Sequence, residues 1–255
     1  LESCVNSIVV NSTFDVGDDA ICIKSGKDED GRRRGRPTVN LIVDNCKVFH
    51  GHGGFIVGSE MSGGVKNISA SNCQFLGTDV GLRFKSNRGR GGVVENIYIS
   101  DIYMFNIATE SFLFDLYYGG KSASESLDAG DVTPKEVVLP PVDEKTPVFK
   151  NIFVENIVSR NARRALFFNG LPEMNIDNIQ LKNAFITSSI GGELSESSNI
   201  QFENVTIIPE KGPALKLNNV KNFNAEQFKN PEGMAKPIDI TGTKNSNVVI
   251  NGAKY

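Results

Sequence analysis

Tryptophan is absent from the 255 residues, and histidine occurs only twice, at His50 and His52. Without indole rings, a module that recognises neutral sugars by stacking is disfavoured, and recognition by charge takes its place. No apolar run approaches the 20 or so residues needed to cross a bilayer, so no membrane-spanning helix and no membrane partner are expected. The formal charge of −3 leaves little long-range field of either sign. Arginines do gather locally, as Arg32, Arg33, Arg34 with Arg36 and as Arg88 with Arg90, in what read as two loops fringing one face. No aromatics are interleaved with them for base stacking, so an anionic polymer fits better than nucleic acid. The cysteines, Cys4, Cys22, Cys46 and Cys73, lack metal-ligand spacing, and two histidines cannot complete a site for them, so no metal and no cofactor is expected. No amphipathic helix stands out. No secretory leader is visible either, and the chain opens at Leu1 inside what reads as a repeat, so an N-terminally truncated solenoid is expected.

What the chain does contain is an Asn-to-Asn or Asn-to-Asp interval of five residues, at Asn6/Asn11, Asn40/Asn45, Asn67/Asn72, Asn96/Asp101, Asn151/Asn156, Asn178/Asn183 and Asn199/Asn204. Apolar residues alternate through each hit, a period-two strand pattern. Successive hits lie 21 to 34 residues apart, apart from one gap of 55 that fits a rung plus an insertion. Self-similarity of that size marks a stacked repeat. A second strand follows most first ones, as in Ala20–Lys24, Gly54–Gly58, Gly81–Lys85, Ser111–Asp115, Ala165–Asn169 and Ala214–Asn218. The pattern predicts an all-β parallel β-helix, a single domain over 1–255. Stacking brings Asn11, Asn45, Asn72, Asp101, Asn156, Asn183 and Asn204 into one column, where amides pair and tolerate the left-handed turn geometry. Cys46 and Cys73, each directly after a column Asn, read as stacked, buried, small apolar residues. Leucine-rich repeats compete for the period but need recurring Leu and a helix per repeat, whereas Ile, Val and Phe dominate here.

The chemistry gathers in three successive rungs. Asp18 and Asp19 precede the second strand of the first rung, His52 that of the next, and Arg83 and Lys85 lie on that of the third. At about 4.8 Å per rung these groups fall within about 10 Å along the axis. Alternation turns Leu82 and Phe84 inward and Arg83 and Lys85 outward. Two adjacent cations call for water or an anion, and Arg can grip a carboxylate through two parallel hydrogen bonds. Lys24 falls outward in the column of Lys85, where it either binds substrate or neutralises Asp18 and Asp19. Tyr117-Tyr118 follows the fourth rung's second strand, and Tyr117 is taken as the ring lining the cleft. His50 packs or caps.

The strings Gly17-Asp18-Asp19, Gly51-His52-Gly53 and Arg83-Phe84-Lys85, in this order, resemble the motifs of the polygalacturonase family, glycoside hydrolase family 28. The likeness is specific over roughly residues 1 to 120 and rests on the repeat beyond. It implies a right-handed parallel β-helix that hydrolyses α-1,4-galacturonosidic bonds of pectin or polygalacturonate with inversion. By motif, Asp18 is the general acid, Asp19 a base, His52 the support of the acid, and Arg83 and Lys85 bind a galacturonate carboxylate. Inversion needs acid and base carboxyls about 6.5–9.5 Å apart, which sequence neighbours reach only if the turn splays them. The family's second aspartate comes from an upstream Asn-Thr-Asp that this sequence does not contain, which makes the missing N-terminal part of the same enzyme an expected partner. Phe84 replaces the family's usual Ile.

Residues 121–147 break the repeat with Ser, charges and Pro134, Pro140, Pro141 and Pro147. They read as a loop insertion that could restrict chain entry and favour exo action. Two other functions compete: a pectate-lyase-like enzyme, which wants a calcium site of clustered carboxylates, and a non-catalytic polysaccharide-binding β-helix, for which the acid, imidazole and cations have no task. A secreted or periplasmic setting follows from the family.

Overall fold

The computed structural model describes residues 1–121 and 139–255, so most of the expected 121–147 insertion lies outside the described residues. The chain coils as a right-handed parallel β-helix. β1 (Val5–Val10), β4 (Thr38–Asp44), β7 (Val65–Ser71) and the starts of β10 (Val93–Asp115), β11 (Val148–Asn169) and β12 (Ile176–Glu226) stack in parallel, and β12 continues onto β13 (Ile238–Thr241) and β14 (Ser246–Ile250). The chain closes on the short antiparallel β15 (Ala253–Lys254). A second stack runs through β3 (Asp19–Ile23), β6 (Gly53–Gly58), β9 (Leu82–Lys85) and the later parts of β10 and β11. At the corner between the two stacks run β2 (Thr13–Phe14), β5 (Lys47–Val48) and β8 (Gln74–Leu76).

Alternation builds the core. In register, Leu41, Ile68, Ile97, Ile152 and Ile179 form one inward column, each at most 1% exposed. Val57, Phe84, Phe114, Phe168 and Leu194 form another. Phe84, where the family prefers Ile, lies fully buried and parallel to the Phe114 ring with centroids 4.5 Å apart. Such a contact adds dispersion to the transfer free energy of a buried side chain, about 1.5–3 kcal/mol. Cys46 and Cys73 are 0% and 1% exposed, in keeping with the small-apolar assignment.

The first members of most intervals stack as well as the second, so the molecule carries two columns where one was expected, and Asn199 leaves the first by donating to the Asp177 carboxylate at 2.7 Å. In the first, Asn40, Asn67, Asn96, Asn151 and Asn178 each donate Nδ2 to the Oδ1 of the preceding member, at 2.8 to 3.4 Å. In the second, Asn45 donates to Asn11 at 2.8 Å and Asn204 to Asn183 at 2.9 Å. Asn72 departs from that series and donates to the Asp44 carboxylate at 2.8 Å. All these asparagines sit at positive φ near 50–57°, the left-handed region Asn tolerates best. One such residue turns a corner without breaking the ladder of backbone hydrogen bonds. This is why β10, β11 and β12 run on for 23, 22 and 51 residues where separate short strands were expected.

A short helix, α1 (Asp28–Arg34), replaces the first expected basic loop. Its acidic first turn and basic last turn match the helix dipole, and Asp30 accepts Arg33 and Arg34 one turn on. Arg32 donates to the Gly89 and Arg90 carbonyls, and Arg90 pairs with Asp28. The two arginine clusters therefore fasten to one another and to carboxylates of the same chain, which leaves less of them for an outside polyanion. α1 has 7 residues, and among the described residues no helix is long and apolar enough to cross a membrane.

Candidate active site

Register assembles the site. Asp19 pairs with Gly53, which sets Asp18 beside His52, and the His52 N–H donates to the Asp18 carbonyl at 2.9 Å. Gly51 makes this approach possible: its φ is 141°, and a Cβ there would stand 2.7 Å from the Asp18 carbonyl oxygen. Cys22, Ile56 and Arg83 share one column of the same sheet, and Gly58, Lys85 and Asp115 another. Asp18, Asp19, His52, Arg83 and Lys85 thus meet in one patch, as their spacing predicts.

The patch has an exposed layer and a buried layer. In the exposed layer the Asp18 side chain is 85% accessible, and its Oδ1 takes the Asp19 N–H at 2.7 Å and faces His52 Nδ1 at 3.1 Å. The Asp19 N–H first, and then His52, hold the Asp18 carboxyl below the usual carboxylate range, against a desolvation contribution that pushes it up. On the far side of the imidazole, Nε2 lies 4.0 Å from Asp79. Asp79 was not among the expected residues, although the repeat carries a signal for it. The column steps of 34 and 27 residues between Asn6, Asn40 and Asn67 also lead from Asp18 to His52 and from His52 to Asp79.

In the buried layer Asp19 is 9% exposed, with Lys85 Nζ 2.6 Å from one oxygen and Arg83 Nη1 3.2 Å from the other. Arg83 also donates to the His52 carbonyl at 3.3 Å. The anion that the two outward cations call for is present within the chain. Both point outward, but Lys85 is 7% exposed and Arg83 17%, and the anion that answers them is Asp19 of the same chain. Two cations on one carboxylate leave the cluster with a net positive charge facing the patch. Among the described residues the buried Arg83 Nε has no hydrogen-bond partner.

One carboxylate oxygen of Asp18, one of Asp19 and a His52 nitrogen lie within 4.8 Å of one another. This spacing could hold a metal ion in outline, but Asp19 already spends both oxygens on Arg83 and Lys85, so such an ion would meet two cations at its second ligand.

Two expected substrate contacts lie differently. Lys24 falls in the Lys85 column, yet its partner is Glu60 at 2.7 Å and not Asp18 or Asp19. Tyr117 packs against the core under the Arg88 guanidinium, 5.2 Å from its ring, while Tyr118 spreads over the site, with Lys85 Nζ 5.0 Å and Arg83 Cζ 5.8 Å from its ring centroid. The Tyr118 N–H donates to the Ser86 carbonyl and its carbonyl accepts Asn87 Nδ2, which holds the ring in place. The doublet was visible in sequence, but alternation ends at Asp115, so it could not say which ring turns to the site. His50 pairs with Asp15 at 2.9 Å on the surface.

On one face of a parallel β-helix, an exposed carboxylate and imidazole thus stand above a buried carboxylate–cation core. The model of glycosyl hydrolases family 28 matches residues 1–156, and the chain belongs to that family. A probable polygalacturonase of Vitis vinifera is 25% identical, the match covering 98% of this chain and 48% of that protein. An endo-polygalacturonase of Pectobacterium carotovorum is 29% identical over 80% of this chain and 42% of its own length. Among solved structures, a hyperthermoactive exopolygalacturonase from Thermotoga maritima superposes with a TM-score of 0.69 at 31% identity, covering 81% of this chain and 43% of the other. The chain therefore spans about half or less of the length of these relatives.

Proposed function

We propose that this chain carries the acid-bearing part of a hydrolase that cleaves α-1,4-galacturonosidic bonds of pectin, polygalacturonate or their oligomers. The observation that supports this most directly is the convergence of Asp18, His52 and the Asp19–Arg83–Lys85 cluster on one face. The cluster's surplus positive charge attracts a sugar carboxylate, Tyr118 offers a ring beside it, and Asp18 stands where a glycosidic oxygen can be protonated. His52 Nδ1 orients the Asp18 carboxyl. To act as acid, Asp18 must gain a proton that the free site disfavours, which desolvation by a bound sugar promotes.

Asp19 serves in this reading as the electrostatic floor, since both its oxygens are spent on cations. Inversion then requires a carboxylate outside the Asp18–Asp19 pair. The relatives' names cover endo and exo modes, and the product profile from one defined oligogalacturonate separates them. A polymeric wall substrate places the enzyme in a secreted or periplasmic setting.

The test is release of reducing ends from polygalacturonate by this chain joined to the N-terminal part that supplies the further carboxylate, with and without Asp18→Asn. Turnover that is lost in the variant while oligogalacturonate binding persists supports the reading, and equal rates overturn it. Unsaturated products absorbing in the ultraviolet would instead indicate a lyase.

A further inference from the structure

The columns of the active-site sheet continue past the catalytic patch. Arg83 is followed in register by Leu113, Phe167 and Glu193, all on the outer side of the sheet. At about 4.8 Å per strand, Phe167 and Glu193 lie about 10 and 14 Å from Arg83 along the axis. There a cavity of about 380 Å³ opens, and Arg164, Lys211 and Lys216 line it together with Glu193. Three cations against one carboxylate give the lining a surplus of positive charge. Among the described residues none of the three has a carboxylate oxygen within 4.0 Å, whereas Lys24, Arg83, Lys85, Arg88 and Arg90 all do. The nearby Asp239, in register with Lys216, is taken by Lys236 at 2.6 Å. The Arg164 guanidinium is held 4.4 Å above the Phe167 ring, a contact that fixes the fork without neutralising it.

We propose that this cavity is a remote subsite that takes the carboxylate of a uronate several sugars away from the bond being cleaved, with Leu113 and Phe167 as the apolar floor beneath the intervening chain. Arg164 supplies the planar fork that matches a carboxylate, and Lys216 and Lys211 supply flexible point charges. The subsite rests on the hydrolase reading for the identity of its ligand, and its consequence is a preference for length: short oligomers reach the patch alone, long ones reach both.

The experiment is calorimetric binding of digalacturonate and octagalacturonate to the 255-residue chain in an Asp18→Asn background, which prevents turnover. The octamer is expected to bind at least tenfold more tightly than the dimer. The double variant Arg164→Ala/Lys216→Ala should remove most of that advantage and leave dimer affinity unchanged, while Lys216→Arg retains it. A second measurement needs no variant: raised salt should abolish the octamer's advantage, and a fully methyl-esterified octamer should never show it. Octamer and dimer affinities that shift together, or an advantage indifferent to these variants, overturn the subsite. Length-dependent, Lys216-dependent binding without reducing-end release by the Asp18-intact chain joined to the N-terminal part that supplies the further carboxylate leaves the subsite standing and overturns the hydrolase reading. Turnover without any length dependence does the reverse.

Discussion

The first three rungs and the C-terminal rungs use one sheet in opposite ways. Around Asp19 the cations Arg83 and Lys85 are buried and answered within the chain, so their charge is fixed in direction and spent on holding the patch. Around Phe167 the cations Arg164, Lys211 and Lys216 ring an open cavity and are answered by no carboxylate at ion-pair distance among the described residues. The lesson is that stacking supplies position for both regions, while the local carboxylate count decides whether a cation is scaffold or is open to a ligand.

The sharpest way to break this comparison is at Asp18. Asp18→Asn should lower kcat by about 10²–10⁴-fold, the usual worth of one acid–base group, with oligogalacturonate affinity preserved. Any such loss from the Arg164→Ala/Lys216→Ala pair at the other end would erase the distinction. Asp19→Asn comes next. It strands two buried cations, and a cost of about 3–5 kcal/mol in denaturant unfolding is expected. Lys216→Glu, by contrast, should change unfolding by no more than about 0.5 kcal/mol, as surface substitutions do.

A smaller effect is expected at the ring. Tyr118→Leu removes the contact over Arg83 and Lys85, worth about 0.5–2 kcal/mol, and should raise KM for short oligomers, whereas Tyr117→Leu should act through stability. Equal KM effects of both would show that the ring's placement does not matter. Smallest at neutral pH is acid sensitivity. Asp18 is held low mainly by the Asp19 N–H, and Glu60 mainly by Lys24. A folded-state value below the unfolded one contributes stability that is present above the unfolded pKa, about 3.9 for Asp and 4.3 for Glu, and is lost as pH falls through the folded value. Hydrogen exchange in β3 and β6 should accordingly stay constant from neutral pH to about 4.5 and accelerate below it, less so in Lys24→Ala. Acceleration that begins near pH 6 would contradict this assignment.

Much of the architecture was legible because its determinants are local. An Asn at each corner, apolar residues at alternate positions and a fixed order of Asp18, His52 and Arg83 are properties of short stretches, and a stacked repeat converts them directly into columns. The merging of short strands into β10, β11 and β12 was not legible, since it depends on whether hydrogen bonds persist across an Asn corner. The helix α1 was also missed, because its seven residues, Asp28 to Arg34, carry charge but no apolar periodicity.

At the site, the chain's own pattern determined which residue types come together and on which side of the sheet they stand, because pleat and repeat fix direction and rung. Only the folded molecule decided how they pair. Asp19 takes Arg83 and Lys85 from 64 and 66 residues away, Glu60 takes Lys24 from 36, and Tyr118 instead of Tyr117 turns over the cations. Those outcomes follow from side-chain reach, burial and competition among several charges for one partner between neighbouring rungs, and these quantities exist only once the rungs have stacked.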